Sequence, residues 1–195
     1  MQSHSFIKSK LVLGSVIVAF VTIFISWPAF AGSIVGWGDQ VVGVNLSSGF
    51  TKVASGLGLK QDGSIIGWGY NFSGECNVPS PNTGFVTIAK GRDFSLGLKN
   101  DGSIVAWGRN IEGQCNVPWP NTGFTAVAAG AFHSLGVKQD GSIVAWGSNG
   151  SGQCNVPSYN YGFVAVAGGW GHSLGLKQDG SIVAWGNNAQ GQCAQ

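Results

Sequence analysis

The chain has 195 residues, of which 33 are glycine, 44% are hydrophobic and only 9% are charged, with a formal net charge of +2. Glycine at that level would suit a disordered chain, but the hydrophobic share and eight tryptophans demand burial and exclude disorder. So small a cation excess also argues against a nucleic-acid binder, which must displace counterions from phosphate.

At the N-terminus, Lys8 and Lys10 precede an apolar run from Leu11 to Ile25, followed by Trp27-Pro28 and Ala29-Phe30-Ala31. A basic start, an apolar run and an A-x-A-type site are the parts of a signal peptide, here residues 1–31. The run is too short for a comfortable membrane span. Cleavage after Ala31 removes two of the ten Lys and Arg, leaving eight against eight Asp and Glu. The expected mature protein is neutral, free of the membrane, and secreted or held in the periplasm or cell envelope.

Residues 32–195 form one repeat domain. Asp62, Asp101, Asp140 and Asp179 each open the string D-G-S-I-x-x-W-G, a fixed period of 39 residues. A period of this size marks a repeat architecture. An earlier partial copy, Gly32-Ser33-Ile34-Val35-Gly36-Trp37-Gly38, stands only 31 residues ahead of its successor and is a degenerate first unit. In the third full unit, Phe124 to Ala128, Ser134 to Lys138 and Ser142 to Trp146 are short strands separated by turn signals. Asp140-Gly141 predicts a two-residue hairpin turn with positive φ. A fourth strand is expected at Gln153-Cys154-Asn155-Val156, ended by Pro157, which suits an outer edge.

Four antiparallel strands per unit predict an all-β propeller. No segment is long and periodic enough for a helix. The expected layout is a half blade at 32–49 and blades at 50–84, 85–123, 124–162 and 163–195. The half blade lacks two inner strands, so an incomplete ring is expected, with open edges that could associate with other copies. On that layout the chain could also be a non-functional fragment of a longer propeller.

Residues that recur in every unit are expected to be framework. Cys76, Cys115, Cys154 and Cys193 occupy one equivalent position. Blade geometry puts neighbouring copies about 15 Å apart, beyond the roughly 7 Å ceiling for a disulfide, so no intrachain bridge is expected. Each is read as a small buried apolar residue, with intermolecular pairing or metal binding as alternatives. Trp37, Trp68, Trp107, Trp146 and Trp185 are expected to fill the wedge between blades. His133 and His172 are expected to hydrogen-bond to backbone between blades. Setting aside the turn aspartates leaves Asp39, Glu75, Asp93 and Glu112 scattered singly, and no catalytic string is present. No enzyme activity, metal or cofactor is expected.

Binding residues should lie where the units differ. Two loop sets do. One holds Arg92, Asp93, Phe132 and Trp170, and the other holds Tyr70, Phe72, Arg109, Ile111 and Glu112. In an up-and-down blade both loop sets emerge on one face, giving a mixture of aromatics and arginine that suits a protein-binding hot spot. Trp119, Tyr159 and Tyr161 vary on the other face. Trp119, Tyr159 and Trp170 form the alternative, stacking platforms of a carbohydrate-binding or glycan-processing module.

The string W-G-x-N-x-x-G-Q-C-N-V-P, then F-x-x-V-A-x-G-x-x-H-S-L-G-L-K-x-D-G, resembles the regulator of chromosome condensation repeat over Gly32 to Gln195. The unit is similar to the compact bacterial form found in secreted beta-lactamase inhibitory propellers. That resemblance implies about seven blades and loops that bind protein partners, with Phe132 and Trp170 in the partner-binding loops. Nucleotide-exchange members act through a wedge inserted in one blade, and no unit here carries an insertion. The sequence therefore points to a secreted, non-catalytic module with a protein partner. If residues 1–31 are a cleaved signal, mass spectrometry of protein from its native host finds Gly32 at the N-terminus. Intact Met1 protein in the cytosol would contradict it.

Overall fold

The computed structural model describes residues 48–194. The signal peptide, Trp37 and Asp39, and nearly all of the half blade lie outside the described residues. Twelve strands form four sheets, each an antiparallel meander of three. The first sheet is β1 (Phe50–Ala54), β2 (Leu57–Lys60) and β3 (Ile65–Gly67), and the second is β4 (Phe85–Lys90), β5 (Phe94–Lys99) and β6 (Ile104–Gly108). The third is β7 (Phe124–Ala129), β8 (His133–Lys138) and β9 (Ile143–Gly147), and the fourth is β10 (Phe163–Gly168), β11 (His172–Lys177) and β12 (Ile182–Gly186). Among the described residues there is no helix.

Each first strand starts with a buried phenylalanine and then slips register by one residue, as between Phe124↔Lys138 and Ala126↔Val137. This bulge lays the phenylalanine ring over the glycine of the second strand, and a Cβ on Gly136 would stand 2.6 Å from the ring of Phe124. The glycine in L-G-L-K is therefore a packing requirement, since any side chain there would displace the ring. The lysine that ends the second strand sits over the same ring, Lys138 Nζ lying 3.7 Å from the centroid of Phe124. Leucine and isoleucine of the second and third strands complete the cores between sheets, which gather Leu96, Leu98 and Ile104 with Phe124 and Trp146 of the next sheet.

Neighbouring sheets are joined by a recurrent polar contact. The backbone carbonyl of Gln114 accepts hydrogen bonds from Ser134 Oγ at 2.8 Å and from Trp146 Nε1 at 2.9 Å, both from the following sheet. Glu75 accepts Ser95 Oγ and Trp107 Nε1 in the same way, and Gln153 accepts Ser173 Oγ and Trp185 Nε1. The tryptophans thus fill the joint, as their strand-end positions suggest, while satisfying their one polar group.

The sheets have three strands where four were expected. The segment from Gln153 to Pro157 is a turn at Gln153-Cys154 followed by irregular chain, with no strand pairing. Two asparagines explain the difference. Asn149 Oδ1 takes the Cys154 N–H at 2.9 Å, which holds the segment in a turn. Asn160 then presents its amide to the free edge of β9: Oδ1 accepts the Ile143 N–H at 2.6 Å and Nδ2 donates to the Ile143 carbonyl at 2.8 Å. One side-chain amide satisfies the two backbone groups that a fourth strand would have paired. Asn82 and Asn121 treat Ile65 and Ile104 identically.

The Asp-Gly turn also differs from expectation. Gly63 N bonds to Lys60 O at 3.0 Å and Lys60 N to Ser64 O at 2.8 Å, which closes a three-residue loop over 61–63. Only its glycine takes positive φ, at 79° for Gly63. That is a type I turn followed by a glycine bulge, the usual three-residue hairpin. The aspartate works by its side chain: Asp62 Oδ1 accepts both the N–H and the hydroxyl of Ser64, and these two bonds hold its carboxyl below the ordinary value. Asp101, Asp140 and Asp179 repeat the arrangement.

Candidate functional site

The loops between first and second strands form one continuous floor. Gly91 N bonds to Phe94 O, Gly130 N to His133 O and Gly169 N to His172 O, each at 2.9 Å, so every hairpin tip is two residues long. A side chain on Gly91, Gly130 or Gly169 would collide with the ring of Phe94, His133 or His172. The tips are Arg92–Asp93, Ala131–Phe132 and Trp170–Gly171. They are bonded sideways across sheets, Arg92 N to Ala131 O at 3.3 Å and Ala131 N to Gly169 O at 3.0 Å.

The loops that follow the third strands join the same floor. Arg109 N donates to Asp93 O at 2.8 Å, Ser148 N to Phe132 O at 2.9 Å and Asn187 N to Gly171 O at 2.8 Å. Both variable loop sets therefore lie on one face. Trp119, Tyr159 and Tyr161 do not. They stand in the segments leading into β7 and β10, where Phe124 N and Phe163 N bond to Gly102 O and Gly141 O of the Asp-Gly turns at the other ends of the strands. Trp119, 92% exposed, and Tyr159 are on the opposite face from Trp170, so these three aromatics do not form one platform.

Six of the nine sequence-predicted residues come together. The Phe132 and Trp170 rings meet edge to face with centroids 5.5 Å apart. The Arg92 guanidinium carbon lies 5.5 Å from each ring, and that of Arg109 lies 5.9 Å from Phe132. Arg109 is committed to Glu112 by two hydrogen bonds, at 3.0 and 3.4 Å, and the pairing lowers the Glu112 pKa and raises that of Arg109. Asp93 is 3.8 Å from Arg92 Nε. Tyr70 and Phe72 stack on each other at 6.5 Å, and Ile111 is exposed beside Glu112.

Sequence reasoning missed the polar work done beneath this face. Gln114 is fully buried and its Oε1 takes the Glu112 N–H while its Nε2 donates to Glu112 Oε2, so the loop carrying Arg109 is held from below. Glu75 takes that place in the first sheet; it is fully buried, and its Oε1 has no hydrogen-bond partner among the described residues. The recurrence of Glu75, Gln114, Gln153 and Gln192 one residue before each cysteine was the available signal. The four cysteines are free and half-buried. They do more than fill space: Cys115 and Cys154 donate to the carbonyls of Arg109 and Ser148 at 3.2 Å, and burial raises both thiols to about 11. His133 bonds to a hydroxyl of the next sheet and not to backbone, its Nε2 lying 2.9 Å from Ser173 Oγ. Because that hydroxyl spends its proton on Gln153 O, the imidazole is the donor at Nε2 and Nδ1 is bare and buried. Among the described residues no group of three or more His, Cys, Asp or Glu side chains is placed to hold a metal ion.

The model of the regulator of chromosome condensation (RCC1) repeat matches residues 85–114, 124–153 and 163–192. The chain belongs to this repeat family. No curated protein sequence matches it at a significant level. Among solved structures, the ectodomain of the Physcomitrella patens receptor kinase CR4 is 22% identical, with a TM-score of 0.56 over 67% of this chain and 38% of that one. Prp20p of Saccharomyces cerevisiae is 23% identical, with a TM-score of 0.57 over 67% of this chain and 42% of that one. The ectodomain of the Arabidopsis thaliana receptor kinase ACR4 is 25% identical, with a TM-score of 0.56 over 70% and 49%. The chain spans less than half the length of each of these structures, and the four sheets are blades of an RCC1-type propeller.

Burial, with a smaller effect from His172, depresses the His133 pKa from 6.5 to about 4. The folded protein therefore resists a proton that the unfolded chain accepts, so the contribution of this group is complete above pH 6.5 and drains away as the pH falls toward 4. The loss amounts to about 3 kcal/mol by the bottom of that window. The turn aspartates titrate below 3.8, under this window. His133→Phe copies Phe94, which fills the equivalent buried place in the preceding blade. Urea unfolding at about pH 7 and about pH 4.5 should show the wild type weakening by about 2–3 kcal/mol more than this variant. Equal losses in the two proteins would contradict the account.

Proposed function

We propose that this chain is a secreted, non-catalytic propeller module that binds a protein partner through its loop face. The observation that carries the reading is the cluster of Arg92, Phe132 and Trp170, supplied by the hairpin tips of three successive blades and framed by Arg109 and Glu112. Arginine and large aromatics are the residue types that dominate protein-binding hot spots. They occur here at positions where the repeated framework imposes no residue, since Ala131 and Gly171 occupy equivalent tips. The described acids favour binding over catalysis: four serve turns, Glu112 is bonded to Arg109, Asp93 lies beside Arg92, and Glu75 is buried beneath the face.

Relatives agree in kind. Yeast Prp20 has been solved bound to Kap60, and Prp20p has described binding properties toward Gsp1p and histones. The partner of this chain would differ, since secretion takes it to another compartment. A glycan-binding role has less support, because Trp119 and Tyr159 lie across the blade from Trp170.

Replacing Phe132 and Trp170 together by alanine tests the proposal. Trp170 is 68% exposed and belongs to no core cluster, so the melting temperature should stay within a few degrees of wild type. Capture of a partner from cell-envelope extract should be abolished. Undiminished capture, or retention of saccharide on a glycan array with no protein partner, would sink the reading.

A further inference from the structure

The cluster on the loop face contains two guanidinium groups in different states. Arg109 is satisfied: both its Nε and Nη2 donate to the Glu112 carboxylate. Arg92 is not. Its side chain is 55% exposed and makes no side-chain hydrogen bond among the described residues, and Asp93 at 3.8 Å is beyond hydrogen-bonding distance. The guanidinium nevertheless lies against two rings. The backbone N–H is bonded to Ala131 O, and two rings flank the guanidinium at 5.5 Å. Ala131 and Phe132 form the tip between those of Arg92 and Trp170.

The geometry points to a carboxylate-docking site at Arg92, by which the loop face takes an acidic segment of a protein partner. This rests on the proposed binding role of that face. A guanidinium held by rings keeps its planar fork of N–H donors turned to solvent, and a carboxylate matches that fork with two parallel charge-assisted hydrogen bonds. Ordering the arginine before binding removes much of the rotamer entropy that a free surface arginine would lose. The exposed Trp170 ring beside it suits an apolar residue next to the acid. A single guanidinium whose N–H donors are unbonded, with only Asp93 at 3.8 Å beside it and the face's other arginine neutralised, suits one carboxylate better than a polyanion. Nucleic acids and sulfated glycans need several cations in a row.

Short random peptides displayed on phage, selected on the immobilised full chain, test this directly. Selected peptides should carry Asp or Glu. Changing that acid to Asn or Gln, or changing the protein by Arg92→Lys, should weaken binding by about tenfold or more, because lysine keeps the charge and loses the fork. Inorganic phosphate and heparin should not displace the peptides at matched concentration. Displacement by either would reveal a general anion site and overturn the assignment. Peptides that require Phe132 and Trp170 but contain no acid and bind the Arg92→Lys protein equally well would overturn this inference alone. If no peptide is selected, or binding ignores Phe132 and Trp170, the binding face fails with it.

Discussion

Everything on the loop face depends on one backbone carbonyl per joint. Glu75, Gln114 and Gln153 each offer a buried carbonyl that accepts a serine hydroxyl and a tryptophan indole from the next blade. Each bond contributes about 1 kcal/mol net, yet a buried donor left without its acceptor costs about 1–3 kcal/mol, so the penalty for slippage exceeds the gain from pairing. Blades are therefore locked in register as well as held together. Register then lets Ala131 N reach Gly169 O in the adjoining tip, and it sets the distance between Arg92 and Trp170. The tip side chains take no part in this scaffold. That separation lets the tips vary from Arg-Asp to Ala-Phe to Trp-Gly while the backbone beneath them stays the same.

Buried polar groups fix the same register from below. The neutral His133 gives its one proton to Ser173, whose own proton goes to Gln153, so a chain of directed bonds crosses the joint between the third and fourth blades. Phe94 fills the equivalent place in the second blade with no polar group. The two joints thus reach similar packing by different chemistry, and of these two side chains only the histidine makes its joint sensitive to pH.

Much of this was legible in the sequence. The strands followed from alternation between glycines, the face shared by the variable loops followed from antiparallel topology, and the tryptophans declared themselves as wedge fillers by their places at strand ends. The fourth strand was misread because Gln-Cys-Asn-Val before a proline has the residues of an edge strand, and side-chain amides of asparagine do the pairing instead. The turn length was misread because Asp-Gly suits both the two-residue and the three-residue hairpin, and the serine that the aspartate bonds decides between them. Contacts between blades link residues 20 and 32 positions apart and leave no local pattern beyond their recurrence. The cluster of Arg92 with Phe132 and Trp170 joins tips of successive repeats, so the period put those residues on one face but could not pair them.

The claim that the joint holds the loop face is tested by amide hydrogen exchange at Ala131, whose N–H crosses from the third blade to the fourth. In Ser173→Ala/Trp185→Phe, the Gln153 carbonyl loses both its donors while the hairpins within each blade keep their bonds. The account predicts that the Ala131 amide then exchanges about tenfold faster or more, and that amides paired within β7 and β8 keep their protection. An unchanged rate at Ala131 would show that the tips are held in register by something other than the joint.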